Sequence, residues 1–364
     1  MQLHAFGPDD AALRGRFFQL GEALLAADPS RGWVDPQGLR REVQASYLGP
    51  QALRLFLAED LGAPQARCAA IVNPALQDDA GRPIGLVGYF EAREHEAGAR
   101  AVLDAAAEWL RGQGCPTVWG PMDCSIWHRY RLMTHGFETD PFLGEPRNPA
   151  WYPPLFQAAG WQPRARWYSW DLQPAHLDAM HMFAMSKRQA GITQAGYRYH
   201  PFRLEAFDEE LTRVHAVLSE GFRENLGFTP LPLEEFRALF GPMRAVLIPE
   251  LAPLVTGPDG RTIGFGYVFP DLAAAMTRAR AAGKPLDALT LREHPPERLV
   301  FHTMVSLASE RGKGLVDWGL AELMDHVAAL GFRRAVGALA KEGPTIYTKT
   351  GLPSREYTLF ARSA

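Results

Sequence analysis

A turn and strand at residues 78–90, DDAGRPIGLVGYF, are echoed at residues 257–270 by GPDGRTIGFGYVFP. The echo extends to the flanking segments, and a recurring order of elements constrains the architecture more than any single propensity does. Apolar spacing predicts helices over 11–27, 37–47 and 50–61, then strands ARCAAIVNP and IGLVGYFEA joined by the turn at 78–83. A helix over 97–111, ended by Gly112 and Gly114, is followed by the strand PTVWGP, a short helix over 151–161 and the aromatic strand RARWYSWDL. One unit closes near Leu172, and residues 173–196 read as a connecting helix.

The second unit, 197–364, repeats this order. Helices over 205–223 and 232–241 precede a strand LAPLV, the echoed turn and the strand TIGFGYVFP. An inserted helix over 271–283, a proline-rich loop and the strand RLVFHTMVSL lead to a helix carrying Leu315, Leu320, Leu323, Val327 and Leu330, closed by Gly331. The segment TIYTKTGLPSREYTLFARS matches the end of the first unit: a short helix, a glycine, an aromatic strand. At 364 residues the chain exceeds the roughly 250–300 residues at which single cores stop growing, so two units fit better than one. The expected fold class is α+β, with a mixed sheet in each unit.

Bulk properties exclude several function classes. No run approaches the roughly 18 uninterrupted apolar residues of a membrane span. The segment MQLHAFGPDDAALRGRF has neither basic leader nor apolar core, so a cytoplasmic location is expected. Cys68, Cys115 and Cys124 form no CxxC pair, and their odd number argues against a disulfide framework. A net charge of -3 without a basic run lacks the footprint of a nucleic-acid binder, which leaves a small-molecule or peptide partner.

Between a predicted strand and a predicted helix stands Glu310-Arg311-Gly312-Lys313-Gly314-Leu315-Val316. Glycines let backbone amides approach an anion, a helix start leaves N–H groups unpaired, and Arg311 and Lys313 add positive charge. The alternative is a solvated glycine turn flanked by basic residues.

This segment resembles the Q/R-x-x-G-x-G/A loop of the GNAT acyltransferase superfamily through Arg311, Gly314 and their spacing, with Val316 in place of the final Gly/Ala. The resemblance implies two tandem GNAT folds, each with a splayed central strand pair, and acetyl-CoA or another acyl-CoA as co-substrate. It implies that Arg311, Gly312, Lys313, Gly314, Leu315 and Val316 hold the pyrophosphate and that Met304, Val305 and Ser306 pair with the pantetheine arm. Tyr347, four residues before Gly351, matches the family's general acid, since a phenol can protonate a departing thiolate; its other reading is a core tyrosine. The first unit departs at both points, with His95-Glu96-Ala97-Gly98-Ala99-Arg100 at the loop and Phe156 at the tyrosine. Glu94 and Glu96 would repel a diphosphate there, so the resemblance implies a degenerate first copy.

A base must deprotonate the acceptor amine. His302 is the first candidate, with Glu297 and Glu342 as competitors. The stretch from Trp119 to Ser125, with Trp127, His128, Arg129 and Arg131, reads either as a pocket wall or as a structural loop; Cys124 has no partner at protease-like spacing. His176 and His181 fall five residues apart, a poor spacing for joint metal binding on one helical face. The aromatic group Trp161, Trp167, Tyr168 and Trp170 reads as a strand packed on a core. The expected function is transfer of an acyl group, most simply acetyl, from coenzyme A to an amine in the second unit. Alternatives are an inactive scaffold and, more remotely, an aminoacyl-tRNA-dependent transferase.

Overall fold

The computed structural model describes residues 1–187, 190–284, 286 and 288–364. The first half places strands β1 (Gln2–Phe6), β2 (Leu53–Asp60), β3 (Ala63–Gln77), β4 (Pro83–Ala92), β5 (Thr117–Gly120), β6 (Leu132–His135) and β7 (Gln162–Leu172) around helices α1 (Ala11–Ala26), α2 (Pro36–Gln44), α3 (Glu96–Gly112) and α4 (Tyr152–Ala158). After α5 (Pro174–Ser186) and α6 (Ala190–Gln194), the second half supplies β8 (Arg198–His200), α7 (Phe207–Gly221), α8 (Leu233–Phe240), β9 (Leu254–Thr256), β10 (Thr262–Pro270), α9 (Ala273–Ala281) and α10 (Ala288–Glu293). It ends with β11 (Leu299–Ser306), α11 (Leu315–Ala329), β12 (Ala335–Lys341) and β13 (Arg355–Ser363). The expected connecting helix over 173–196 is thus α5 and α6, with 188 and 189 outside the described residues.

Sequence logic accounts for most boundaries. Asp10 caps α1 by accepting the Leu13 amide, and Asp35 caps α2 ahead of Pro36, whose missing N–H costs nothing at a first helical position. In α3, Val102, Leu103, Ala106 and Leu110 bury one stripe against the sheet, as the 3.6-residue period requires. Gly114 and Gly331 both take left-handed φ just past their helices.

Three expectations change. Residues 53–60 are strand β2 and not helix: their leucines and alanines favour a helix weakly, but pairing to β1 on one side and β3 on the other outweighs propensity. The chain opens on strand β1 and not on a helix. Strands β6 and β12 had no counterpart in the sequence reading, because β12 (AVGALAK) lacks the β-branched and aromatic run that marks a strand.

Among the described residues all thirteen strands join one sheet, ordered β1-β2-β3-β4-β5-β13-β7-β12-β11-β10-β9-β8, with β6 beside β13. It is mostly antiparallel, with parallel pairs only at β4/β5 and β11/β12. Simple duplication would place β7 beside β5 and β13 beside β12. Instead the closing strands trade places: β13 pairs with β5, β7 pairs with β12, and the two pair with each other at the centre. A cut at residue 172 therefore crosses hydrogen-bonded sheet. In the first half α3 and α4 cover one face and α1 the other; in the second, α5 and α11 cover one and α7 and α8 the other.

Candidate active site

Each half carries a strand pair that starts parallel and then parts. In the second half, β11 and β12 pair only over Leu299–Phe301 and Ala335–Gly337. A bulge at Ala338 and Leu339 then turns β12 away; Leu339 adopts φ 58° and donates its amide to the Ser169 hydroxyl at 3.1 Å. A branched residue at positive φ is strained, and such strain concentrates at functional sites. From Thr303 to Ser306, β11 keeps its pairing to β10 and none to β12, and His302 falls at a register shift between the paired Phe301 and Thr303. The strand edge facing the fork is therefore free to pair with an extended ligand.

The glycine loop sits at the outer end of this opening. Gly312 (φ 80°) and Gly314 (φ 74°) are both left-handed, and Gly314 begins α11 with no side-chain cap. Among the described residues no protein group accepts the amides of residues 312–317. Arg311 pairs with Glu224 at 3.3 Å and Lys313 with Glu310 at 3.0 Å. Both cations stand at the surface, where solvent screens such pairs, so they remain available to a stronger anion. Met304, Val305, Ser306, Leu315 and Val316 meet in a hollow of about 40 Å³ between β11 and α11. The three predicted pantetheine residues thus share this hollow with Leu315 and Val316 of the predicted pyrophosphate set, while Arg311, Gly312, Lys313 and Gly314 are not among its lining.

Inward of the fork, a cavity of about 810 Å³ lies between the halves. Met304 of β11 and Phe265 of β10 border both this cavity and the small hollow, so the two meet along the β10–β11 pair. One end is apolar: Phe207, Leu211, Val214 and Leu218 form a stripe along α7, faced by Phe236 and Phe240 of α8. The other end is polar and comes from the first half. It contains the Arg31–Glu91 ion pair, Tyr152 donating to Glu91 at 2.6 Å, and Arg129 donating to Asp123 at 2.7 Å. His302 lines the cavity, with Nδ1 2.9 Å from the Thr303 hydroxyl. The low-dielectric cavity walls, aided by the positive charge of Arg131, lower its pKa below the usual imidazole value although the side chain is exposed to the cavity, so the imidazole is neutral near pH 7 and can accept a proton.

Tyr347 packs on Trp170 with ring centroids 5.6 Å apart, and its ring covers Gly337, the last β12 residue paired with β11. It stands at the fork but is not among the cavity-lining residues. Burial raises its hydroxyl above the usual value, which keeps the phenol protonated. Glu297 is exposed, Glu342 accepts from Tyr168 at 3.4 Å, and neither lines the cavity.

Of the 119–131 segment, Pro121, Asp123, Ile126, Trp127, His128, Arg129, Tyr130 and Arg131 line the cavity, so the pocket-wall reading fits most of it. Burial pushes the Cys124 thiol up to about 12, the opposite of an activated nucleophile. His176 accepts the Gln173 amide and His181 pairs with Asp325 at 2.8 Å, so each has a local role at an end of, or along, α5. Glu42 on α2 went unnoticed in the sequence. It lines the cavity, one carboxylate oxygen has no partner, and burial lifts its pKa to about 7. Nothing in PQGLRREVQ distinguishes it from a surface glutamate; only the cavity does.

Comparison with solved structures decides the architecture. A tandem GNAT protein from the clavulanic acid biosynthesis pathway superposes over 100% of this chain and 98% of its own, with a TM-score of 0.53 and 14% identity. The fold is a tandem GNAT fold. A conserved protein from Enterococcus faecalis V583, described as a "probable N-acyltransferase", covers 100% of this chain with 73% of its own at a TM-score of 0.55 and 9% identity. By sequence, the chain is 23% identical over 333 residues to the bacterial ceramide synthase of Caulobacter vibrioides, covering 88% of this chain and 85% of that protein. No protein-family model matches. Among the described residues no helix is long and apolar enough to cross a membrane.

Proposed function

We propose that the protein is an acyl-CoA-dependent N-acyltransferase whose acceptor is a lipophilic amine and whose chemistry takes place at the β11/β12 fork. The observation that carries this reading is the free edge of β11, flanked by unpaired amides at one end and opening into an apolar cavity at the other. In this reading the amides of residues 312–317 with Arg311 and Lys313 hold the diphosphate, and Met304–Ser306 pair with the pantetheine arm. His302 takes a proton from the ammonium. The freed nitrogen forms a bond to the thioester carbonyl carbon, the C–S bond breaks, and Tyr347 donates its hydroxyl proton to the departing thiolate. The surplus proton on the nitrogen passes to the Tyr347 oxygen, leaving the neutral amide, while His302 gives up its proton to solvent. One proton is released overall.

The size and lining of the cavity support a hydrocarbon substituent longer than acetyl. About 810 Å³ lies in the upper part of the roughly 300–1,000 Å³ range of ligand pockets, and an acetyl group would leave most of it empty. The likeness to a protein named for ceramide, a long-chain amide, points the same way. Calorimetry with palmitoyl-CoA and acetyl-CoA tests the proposal. The parent protein should bind palmitoyl-CoA more tightly, and Gly314→Trp should lower that affinity about 100-fold by filling the loop and straining a left-handed position. If neither acyl-CoA binds the parent protein, the scaffold alternative takes its place.

A further inference from the structure

Four arginines at or beside the polar end of the cavity have carboxylate partners. Arg31 pairs with Glu91, Arg129 with Asp123, Arg147 with Glu145, and Arg355 with both Glu145 and Asp171. Arg131 differs. It is 8% exposed, lines the cavity, and has no carboxylate within ion-pair distance among the described residues. Its Nε and Nη1 are buried without a hydrogen-bond partner. The backbone is held at φ 67°, with the amide bonded to the Pro121 carbonyl at 2.8 Å. The guanidinium lies 3.9 Å from the Tyr130 ring centroid and 4.6 Å from that of Trp167.

A buried charge with no counter-ion is costly, and ring stacking offsets only part of that cost. Stacking fixes the plane of the guanidinium and leaves Nε and Nη1 without acceptors, donors that a carboxylate or phosphate can use. His302 on β11 lines the same cavity as Arg131, so an anion held by Arg131 shares that space with the proposed base. The apolar α7 and α8 faces fill the rest of the same cavity.

We propose that Arg131 is an anion anchor, and that the ligand of the cavity is a long-chain amine bearing a carboxylate or phosphate close to its nitrogen. The tail occupies the α7–α8 end, the anion meets the unpartnered N–H groups of Arg131, and the nitrogen faces His302. Only the fate of the nitrogen rests on the acyl-transfer reading; capture of the anion does not.

The test reads binding without acyl-CoA, through tryptophan fluorescence, so failure of anion capture is separable from failure of acyl transfer. Two ligand pairs differ in the anion: hexadecylamine against 2-aminohexadecanoic acid, and sphinganine against sphinganine 1-phosphate, all below their micellar concentrations. The full chain should bind the anionic member of at least one pair tenfold or more tightly, and the pair that responds identifies carboxylate or phosphate. Arg131→Met should erase that preference while leaving the thermal midpoint unchanged or higher, since it removes an uncompensated charge from an apolar stack. Equal binding within both pairs would overturn the proposal, as would a preference that survives in Arg131→Met. A midpoint that falls with loss of all binding would assign Arg131 a packing role instead, and Arg131→Lys, which keeps charge but not the fork, should then bind as the parent does.

Discussion

The two forks of the sheet began from one plan and differ in what fills them. In the first half, β4 and β5 pair over Ile84–Leu86 and Thr117–Trp119, but the gap beyond is closed from within. The Met122 amide donates to the Val87 carbonyl at 2.9 Å, and the Asp123 carboxylate accepts the Tyr89 amide. Its helix start is closed too, because His95 Nδ1 accepts the Gly98 amide at 2.9 Å and so uses a donor that an anion would need. In the second half the strand edge and the helix start both stay open. Duplication supplied two potential clefts; one was plugged and became a wall, and its plugging loop, residues 121–131, now forms the polar lining of the other half's cavity.

The largest predicted effect lies on the open side. His302→Gln should lower kcat by about 10²–10⁴ with little change in KM, as loss of a general base does. The parent rate should hold as pH falls through about 6.5, where an ordinary histidine would already be half protonated, because the His302 pKa is lowered. The sign for stability follows from the same shift. Between pH 6.5 and about 4 the unfolded chain takes up a proton that the folded imidazole refuses, so stability falls as pH drops through that window, and His302→Gln should flatten the slope. Denaturant titrations at a series of pH values measure it.

Changes on the closed side should cost stability and spare chemistry. A Cβ at Gly88 would sit 2.5 Å from the Met122 carbonyl oxygen, so Gly88→Ala should destabilise the fold by about 1–3 kcal/mol through overpacking of the plug. Smallest is His95→Ala, expected to cost about 1 kcal/mol as a lost helix cap and to leave palmitoyl-CoA affinity unchanged. Measurable acyl-CoA binding gained by His95→Ala would erase the contrast between the halves.

Much of this contrast was legible in residues 95–100 against 311–316, because a glycine loop at a strand-to-helix junction is local chemistry. The repeated elements were legible for the same reason: α3, α11 and the β3–β4 and β10 segments carry their periodicity within a dozen or so residues. What escaped depends on distant partners. Residues 53–60 became a strand because β1 and β3 flank them, and β12 is held by neighbours and not by its own composition. The cavity joins α2, the 121–131 loop, α7 and β11, so Glu42 and the unpaired state of Arg131 exist only in three dimensions.

The traded strands at the middle of the sheet bear on how the molecule comes into being. During synthesis the first half emerges with a vacant lane between β5 and β7, a lane that residues 355–363 occupy only after residues 173–354 have been made. Until then its exposed edges at β5 and β7 are open to mispairing. Each half therefore completes its sheet with a strand from the other, β13 in the first and β7 in the second, and the two are joined along their common seam.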